Sequence, residues 1–584
     1  MSRARPARSS FRRRRFWTGA AAATLLLVVL IAAAAAGGFD SGSAGRAGAA
    51  ATGRVPVVGR GAVPGAPAAL RLGAVQVVPS LALAGPGSAG ATRPGSAGAT
   101  RALPAPRWAV SFDVRLSAGS ELKIGLGSAA STLVLKRGRN GSLASLVQDR
   151  GLDALRAARG WPARSSDHIE LTGAPRPRLN IDGKALGVRV GNGRMLSFRI
   201  VRGQASVSAL IISAAEDRAA LLFHRLAELH ARVPLGLFPI GADSRNLIHF
   251  ERTWTIGFWP GALWQAAAIE PAGGMFARWA LEATVDNFGT KPPATHDVGF
   301  MYGESWQAGW QALCQGRAVA PTICPHLKSV ALAAADELLT LAATNPGSGT
   351  IPTNATSAYG DTIIDSTMNL GILTWASRVT GNPVYDRLAS HHAHVVASLL
   401  VRGDGSTAQA VNFDRRTGTV LSIGTHQGRS NTSTWSRGQA WAVYGFAQTA
   451  AALHDPSLLR VALRVADYVA AHLPANGVPL WDYDAPAGAP LDVSAGVITA
   501  AGLLHLAAAC RELPGVCSGA SRWTGLARRM LASSLALARD VPPMGYLAPQ
   551  LLNQRHPSCW CNHGELIFGL TYALEAMRRG GVIR

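Results

Sequence analysis

Three short segments combine carboxylates, a guanidinium and aromatic rings in a way suited to acid–base chemistry. The first is ATHDVGFMYGESW (294–306), with Asp297 beside His296. The second is DTIIDSTMNLGILTWAS (361–377), which spaces Asp361, Asp365 and Asn369 at i, i+4 and i+8, one face of a helix expected over 361–379. Asp361 then reads as the helix N-cap. Asp365 sits one turn in, among Ile363, Ile364 and Met368. A carboxyl there loses solvation of its charged form, which raises its pKa toward that of a general acid. A buried salt-bridging Asp is an equal reading of this stretch alone. The third segment is GTHQGRSNTSTWSRGQAWAVYGFA (424–447), where Arg437 at a helix start could bind a carboxylate through both arms of its fork. An ordinary ion pair is the plainer reading of that arginine.

Other chemistries lack their motifs. No GxxxxGK[ST], HExxH or strand–helix GxGxxG occurs, so nucleotide, zinc-protease and dinucleotide functions find no support. His391, His392 and His394 cluster on an expected outer helix, but their spacing does not bring all three to one face. A solvated helix surface outweighs a metal site there. Neither a cofactor nor a metal is implied.

The elements that must position these segments begin near Glu216, where the apolar period becomes helical. Helices are expected at 217–232, 260–270, 273–287, 303–314, 326–344, 361–379, 383–400, 435–453, 456–472, 491–511, 519–538 and 562–578. An open solenoid should show a regular sequence repeat, and none is found. Six helical hairpins closed into an (α/α)6 barrel over 216–584 fit better. Twelve of the 15 Trp lie between Trp254 and Trp560, which argues for a cleft where rings stack on sugar faces. Trp254, Trp259, Trp264, Trp306, Trp310, Trp435, Trp441 and Trp481 sit near helix starts or turns. About half of these are expected in the core, the commoner place for a large apolar ring.

Residues 107–215 instead show period-two runs such as WAVSFDVRL, ELKIGLG and MLSFRIV, broken by Gly, Asn-Gly and Asp-Gly. That pattern predicts a small β-sandwich domain. Residues 40–106 are rich in Ala, Gly, Pro and Arg, with PGSAGATR at 86–93 repeated at 94–101, and read as a disordered linker. At the N-terminus, Arg12 to Arg15 precede an apolar run from Phe16 to about Gly38. Residues 1–39 therefore read as an export signal or a membrane anchor, with the rest outside the cytoplasm.

The 584-residue chain carries a net charge of +23. About half of that belongs to residues 1–106, which hold 13 Arg, no Lys and one acid, so charge alone does not nominate a nucleic-acid binder. Six Cys fall as Cys314/Cys324, Cys510/Cys517 and Cys559/Cys561, too few for a disulfide-scaffolded fold. Spacing alone does not choose their connectivity.

Taken together and in order, GFWPG (257–261), HDVGF (296–300), DSTMN (365–369), THQG (425–428), WSRGQAW (435–441) and GVPLWDYDAP (477–486) resemble the unsaturated glucuronyl hydrolases, glycoside hydrolase family 88. The tail CNHGELIFGLTYALEAM (561–577) resembles the family's closing helix more loosely. The similarity covers about residues 217–580. It implies an (α/α)6 barrel and hydration of a vinyl ether. The substrate partner would be an oligosaccharide whose non-reducing end is a 4,5-unsaturated uronic acid. Asp365 would be the general acid, and Asp297 the second carboxylate that helps keep it protonated. His296, Gln427, Trp435, Arg437 and Trp441 match positions lining the sugar subsite.

The chain also departs from the pattern. Gln409 stands where many members have His, Arg429 follows THQG in place of Tyr, and Asn431 and Thr432 replace acids. Substrate identity is thereby less constrained than reaction type. An unsaturated rhamnogalacturonyl hydrolase, a conventional inverting glycosidase and a non-catalytic glycan binder are the competing readings.

Overall fold

The computed structural model describes the strands between residues 70 and 214 and, with short interruptions, residues 218–537 and 564–581. All of these belong to one compact unit, Gly65–Arg584. The expected export segment 1–39 and the Cys559/Cys561 pair lie outside the described residues.

The N-terminal strands form two antiparallel sheets. One runs β1 (Leu70–Leu72), β2 (Val75–Ala82), β12 (Ala205–Ala214), β4 (Trp108–Leu116), β8 (Asp167–Thr172), β9 (Arg178–Ile181), β10 (Lys184–Leu186). The other runs β3 (Gly98–Ala102), β11 (Met195–Arg202), β5 (Glu121–Leu126), β6 (Thr132–Arg137), β7 (Leu143–Gln148). Side chains alternate across a strand, so central β4 works on two faces. Val110, Phe112 and Val114 are fully buried, and Phe112 meets Phe198 of the second sheet edge-on, with ring centroids 5.0 Å apart. From its other face, Ser111 hydrogen-bonds His224 of the first helix at 2.8 Å.

One expectation is corrected here. The linker was expected to run to residue 106, yet β1, β2 and β3 lie inside it. β2 pairs with β12, placing Val77 opposite Ile211, and β3 pairs with β11, placing Ala99 opposite Phe198. An unpaired strand edge is a strong template for backbone pairing. The valines of β2 suit such pairing, whereas β3, Gly-Ala-Thr-Arg-Ala, is selected by the edge it fills rather than by its own composition.

The rest is helical: α1 (Arg218–Arg232), α2 (Phe258–Ala267), α3 (Met275–Val285), α4 (Ala308–Leu313), α5 (Ile323–Ala343), α6 (Leu370–Thr380), α7 (Val384–Leu400), α8 (Ser436–Leu453), α9 (Pro456–His472), α10 (Val493–Glu512), α11 (Ala520–Ala536) and α12 (Ile567–Gly580). Helix α10 is apolar on every side and lies in the core. By length and composition it could cross a membrane, but such all-round hydrophobicity also marks a helix enclosed by others. Its neighbours are α8, α11 and α12. Helix α12 returns to α2, where Thr571 Oγ1 donates to the Phe258 carbonyl (2.9 Å). Disulfides join Cys314, just after α4, to Cys324 in α5, and Cys510 in α10 to Cys517 in the loop that leads to α11.

A buried charge network ties α1 to the C-terminal segment. Arg225 donates to Glu565 (2.6 Å), Glu228 (2.6 Å) and Asn246 (2.8 Å), and all four residues are buried. Glu565 lies on β18 (Glu565–Leu566), which pairs with β13 (Pro239–Ala242). Burial alone would raise the carboxyl of Glu228, but Arg225 and Arg232 overcome it and hold it low. At Glu565 burial prevails and the pKa is raised. Removing one member of a buried ion network leaves uncompensated charge and costs about 3–5 kcal/mol. Arg225→Leu should therefore lower the thermal unfolding midpoint by several degrees. An unchanged midpoint would refute this account of the network.

Candidate active site

Asp365 is held by a strand and a tight turn rather than by a regular helix. Thr362 and Ile363 form β15 and pair with Val411 and Ala410 of β16 (Ala410–Phe413). Ile364 N–H then donates to the Gln409 carbonyl (2.8 Å). A 3₁₀ turn follows over Ile364–Asn369, and only then does α6 begin. This corrects the helix expected from residue 361. The β-branched run Thr362-Ile363-Ile364 prefers an extended partner, so the helical spacing of Asp361, Asp365 and Asn369 does not survive. Asp361 is not an N-cap. Its carboxylate faces His426 Nε2 at 3.2 Å.

The turn is closed by its own side chains. Ser366 Oγ donates to the Ile363 carbonyl (2.5 Å), and Thr367 Oγ1 donates to that of Ile364 (2.8 Å). The two carbonyls preceding the acid are thereby occupied. Asp365 Oδ2 is covered and has no hydrogen-bond partner. Burial, with a smaller contribution from Asp297, pushes its pKa up to about 6. His296, the residue's own N–H and Arg437 oppose that rise. Burial rather than the second carboxylate is thus the main cause.

Asp297 arrives on the other half of the site. Its side chain lies 3.3 Å from His296 Nε2 and accepts from Thr295 Oγ1 (3.1 Å). The segment is anchored by a bridge between Thr295 and Asn354 and by His296 N–H donating to the Thr353 carbonyl (3.2 Å). Beyond it the chain enters a π-helix, Gly299–Gln307, where a regular helix was expected only from 303. π-Turns recur at functional sites because they re-aim side chains. Asn369 Oδ1 accepts from Phe300 N–H (2.9 Å), joining the two carboxylate-bearing segments directly. Gly299 is required there: a Cβ would lie 2.3 Å from Asn369 Oδ1 and 2.5 Å from its Cα.

Gln409 organises the THQG loop. Its buried Oε1 accepts from Thr425 Oγ1 (2.7 Å), His426 N–H (2.8 Å) and Gln427 N–H (2.8 Å). Its Nε2 donates to Gln427 Oε1 (2.8 Å), which brings the two glutamines together. The following residues hang on two aspartates that sequence reasoning did not single out. Asp482 accepts from Arg429 N–H (2.9 Å) and Ser433 Oγ (2.8 Å), and Asp484 accepts from Thr434 N–H (2.8 Å). Their place in GVPLWDYDAP was the available signal.

Arg437 and the tryptophans come out closer to their plainer readings. Arg437 is 1% exposed and donates to Asp492 (2.9 Å) and Ser494 (3.1 Å). Its guanidinium lies over the rings of Trp435 (4.8 Å) and Phe568 (5.5 Å). Trp441 is 1% exposed and packs against Phe300 and Tyr572. The indoles of Trp435 and Trp441 are thus both largely covered by neighbouring side chains. Of the eight tryptophans near helix starts, Trp254 and Trp310 are half-buried and the other six are buried, more than the half expected in the core.

One member of the histidine cluster departs from expectation. His391 contacts the Ser348 carbonyl (2.8 Å) and His394 the Ser390 carbonyl (2.8 Å), both at the surface. His392 turns inward and is fully buried. The three rings do not converge, and among the described residues no group of three His, Cys, Asp or Glu is arranged to hold a metal. Sequence reasoning also missed a polar cluster deeper in the helical core. There Tyr572 donates to Glu304 (3.2 Å) and Tyr444 to Glu575 (3.0 Å), and burial pushes Glu304 up to about 8.

Known proteins resemble this chain in two ways. No protein-family model matches it. The unsaturated glucuronyl hydrolase of Bacillus sp. (strain GL1) is 36% identical over 286 residues, 47% of this chain and 73% of that protein. The unsaturated glucuronyl hydrolase of Formosa agariphila is 30% identical over 284 residues, 46% of this chain and 69% of that protein. Among solved structures, an unsaturated glucuronyl hydrolase specific for heparin superimposes with a TM-score of 0.56 at 25% identity, over 62% of this chain and 96% of that one. The Bacillus sp. GL1 enzyme does so with a TM-score of 0.52 at 28% identity, over 62% and 94%. With that identity over most of the relatives' length, and a buried acid on the DSTMN turn beside HDVGF, the chain belongs to the unsaturated glucuronyl hydrolase family.

Proposed function

We propose that the protein releases the 4,5-unsaturated uronic acid from the non-reducing end of oligosaccharides produced by polysaccharide lyases. The observation that carries this reading is Asp365, a carboxyl whose pKa is raised to about 6 and whose Oδ2 is covered and unpaired. Such a group keeps its proton up to about pH 6, well above an ordinary carboxyl, and its Oδ2 has no competing hydrogen-bond partner. Asp365 donates that proton to C4 of the unsaturated ring, leaving an oxocarbenium at C5 stabilised by the ring oxygen. Water adds at C5 and loses a proton to the Asp365 carboxylate, which restores the acid. Asp297, oriented by His296 and Thr295, hydrogen-bonds the sugar and disfavours the ionised form of Asp365. The C5 hemiketal then opens, breaking the C5–O5 bond. The hemiacetal left at C1 expels the shortened sugar and gives an open-chain keto acid. This differs from the attack at the anomeric carbon used by a conventional two-carboxylate glycosidase.

The helix neighbours support a closed (α/α)6 barrel, since α12 returns to α2 and α8, α10 and α12 adjoin in turn. The two N-terminal sheets fit a β-sandwich serving as a spacer, because their buried aromatics are turned toward each other. His426 and Arg429, both exposed on the THQG loop, make that loop neutral to cationic, which suits an anionic sugar. We further propose an extracytoplasmic location. The basic and apolar N-terminal run supports it, as do the Cys314–Cys324 and Cys510–Cys517 disulfides, which persist in oxidising compartments.

The acid is tested on a lyase-generated unsaturated disaccharide by following loss of its ultraviolet absorbance. Asp365→Asn should lower kcat by roughly 10²–10⁴-fold, the usual worth of a general acid. Wild-type turnover in that variant, or faster cleavage of the saturated glycoside, refutes the reading. Because the reactive form is protonated, kcat should fall as pH rises through about 6. A rate that rises over the same interval would assign the opposite role. Location is checked by fractionating native cells and alkylating free thiols. A cytosolic, fully reduced pool would overturn it.

A further inference from the structure

His392 belongs to outer helix α7, yet it reaches the turn that carries the acid. Its Nδ1 accepts from Ile351 N–H (3.1 Å), and its Nε2 lies 2.7 Å from Ser366 Oγ. A ring nitrogen that accepts a hydrogen bond carries no proton, so the neutral ring must hold its hydrogen on Nε2. The Ser366 hydroxyl hydrogen is committed to the Ile363 carbonyl (2.5 Å), so Oγ has a lone pair free to accept from Nε2–H. The bonds therefore run in one direction, from Ile351 through His392 and Ser366 to Ile363. Burial, aided by His296 and His391, lowers the ring's pKa to about 3, so it stays neutral at working pH. Protonation would set an Nδ1–H against the Ile351 N–H and break the chain. Ser366 follows Asp365 directly, and Ile363 lies two residues before it, so this chain grips both sides of the acid.

We infer that His392 is a positioning residue for Asp365: through Ser366 it locks the 3₁₀ turn so that the carboxyl stays in its covered position facing His296, Asp297 and Arg437. The inference rests on the reading of Asp365 as the proton donor. It does not require His392 to touch substrate.

The test compares two amides. His392→Asn keeps an acceptor for Ile351 but is too short to reach Ser366. His392→Gln can place a donor where Nε2 stood. In the Asn variant kcat should fall about tenfold with KM changed by less than about twofold, because misplacing a reacting group costs rate rather than binding. Its descending pH limb should move to lower pH as water reaches Asp365. Ser366→Ala, a smaller change less prone to misfolding, should show the same pair of effects. The Gln variant should recover the wild-type limb and most of kcat. Equal losses in Asn and Gln with an unmoved limb would mean core packing alone and overturn the inference, as would a wild-type kcat in both Asn and Ser366→Ala. Asp365→Asn separates the two readings. If it is active, the proton-donor assignment fails. If it is inactive while His392→Asn behaves as wild type, only the positioning role fails.

Discussion

Keeping one carboxyl covered and unpaired is the constraint on which the rest of this site depends. Removing a charge from water is unfavourable unless it is paired, and an acid can avoid that cost by holding its proton. The protein supplies no donor to Asp365 Oδ2, so the neutral form persists up to about pH 6. A group in that state is useful only if it stays where it is. The hydroxyls of Ser366 and Thr367, the carbonyl of Gln409 and the ring of His392 all act on the short stretch Ile363–Thr367. A turn without these partners would let the carboxyl swing toward water and ionise.

The surrounding charges set how far the pKa moves. Arg437 is neutralised by Asp492 at the start of α10, which leaves it a buried residue whose field still reaches Asp365. His296 acts in the same direction and Asp297 in the other. Partial cancellation leaves the acid near 6, where it can both give and regain a proton. Asn369 and Gly299 fix the separation of the two carboxylate segments through one hydrogen bond and one close backbone approach. Polar groups that might have looked like ligands for a sugar are in several cases committed to this scaffold. Gln409 is the clearest, with its side-chain oxygen already accepting three hydrogen bonds from the loop it supports.

Much of this was legible from residue type and order. The shift from period two to a helical period matches the change from strands to helices between Ala214 and Arg218, and each of the twelve expected helices overlaps a helix in the structure. Asp365 was recognisable as a desolvated acid because its neighbours are apolar whichever local conformation it adopts. Ordered motifs brought Asp297, His296 and Gln427 into one set, with Gln409 noted as a departure from the pattern. The strands at 70–82 and 98–102 were missed because their signal is diluted by Ala, Gly and Pro, and pairing with β12 and β11 is what selects them.

By itself, the sequence determined which side chains could react and roughly which elements carry them, since composition and periodicity are local properties. Tertiary structure decided which of those side chains remain available. Arg437 became half of a buried ion pair with a residue 55 positions away, and Trp441 became core. His392, apparently a surface residue, became the brace of the acid's turn through a contact 26 residues distant. Spacing along a helix cannot foresee such outcomes, because long-range packing sets the competition among hydrogen-bond partners. The same competition replaced an expected helix at 361 with a strand and a 3₁₀ turn, and so placed Asp365 in its covered position.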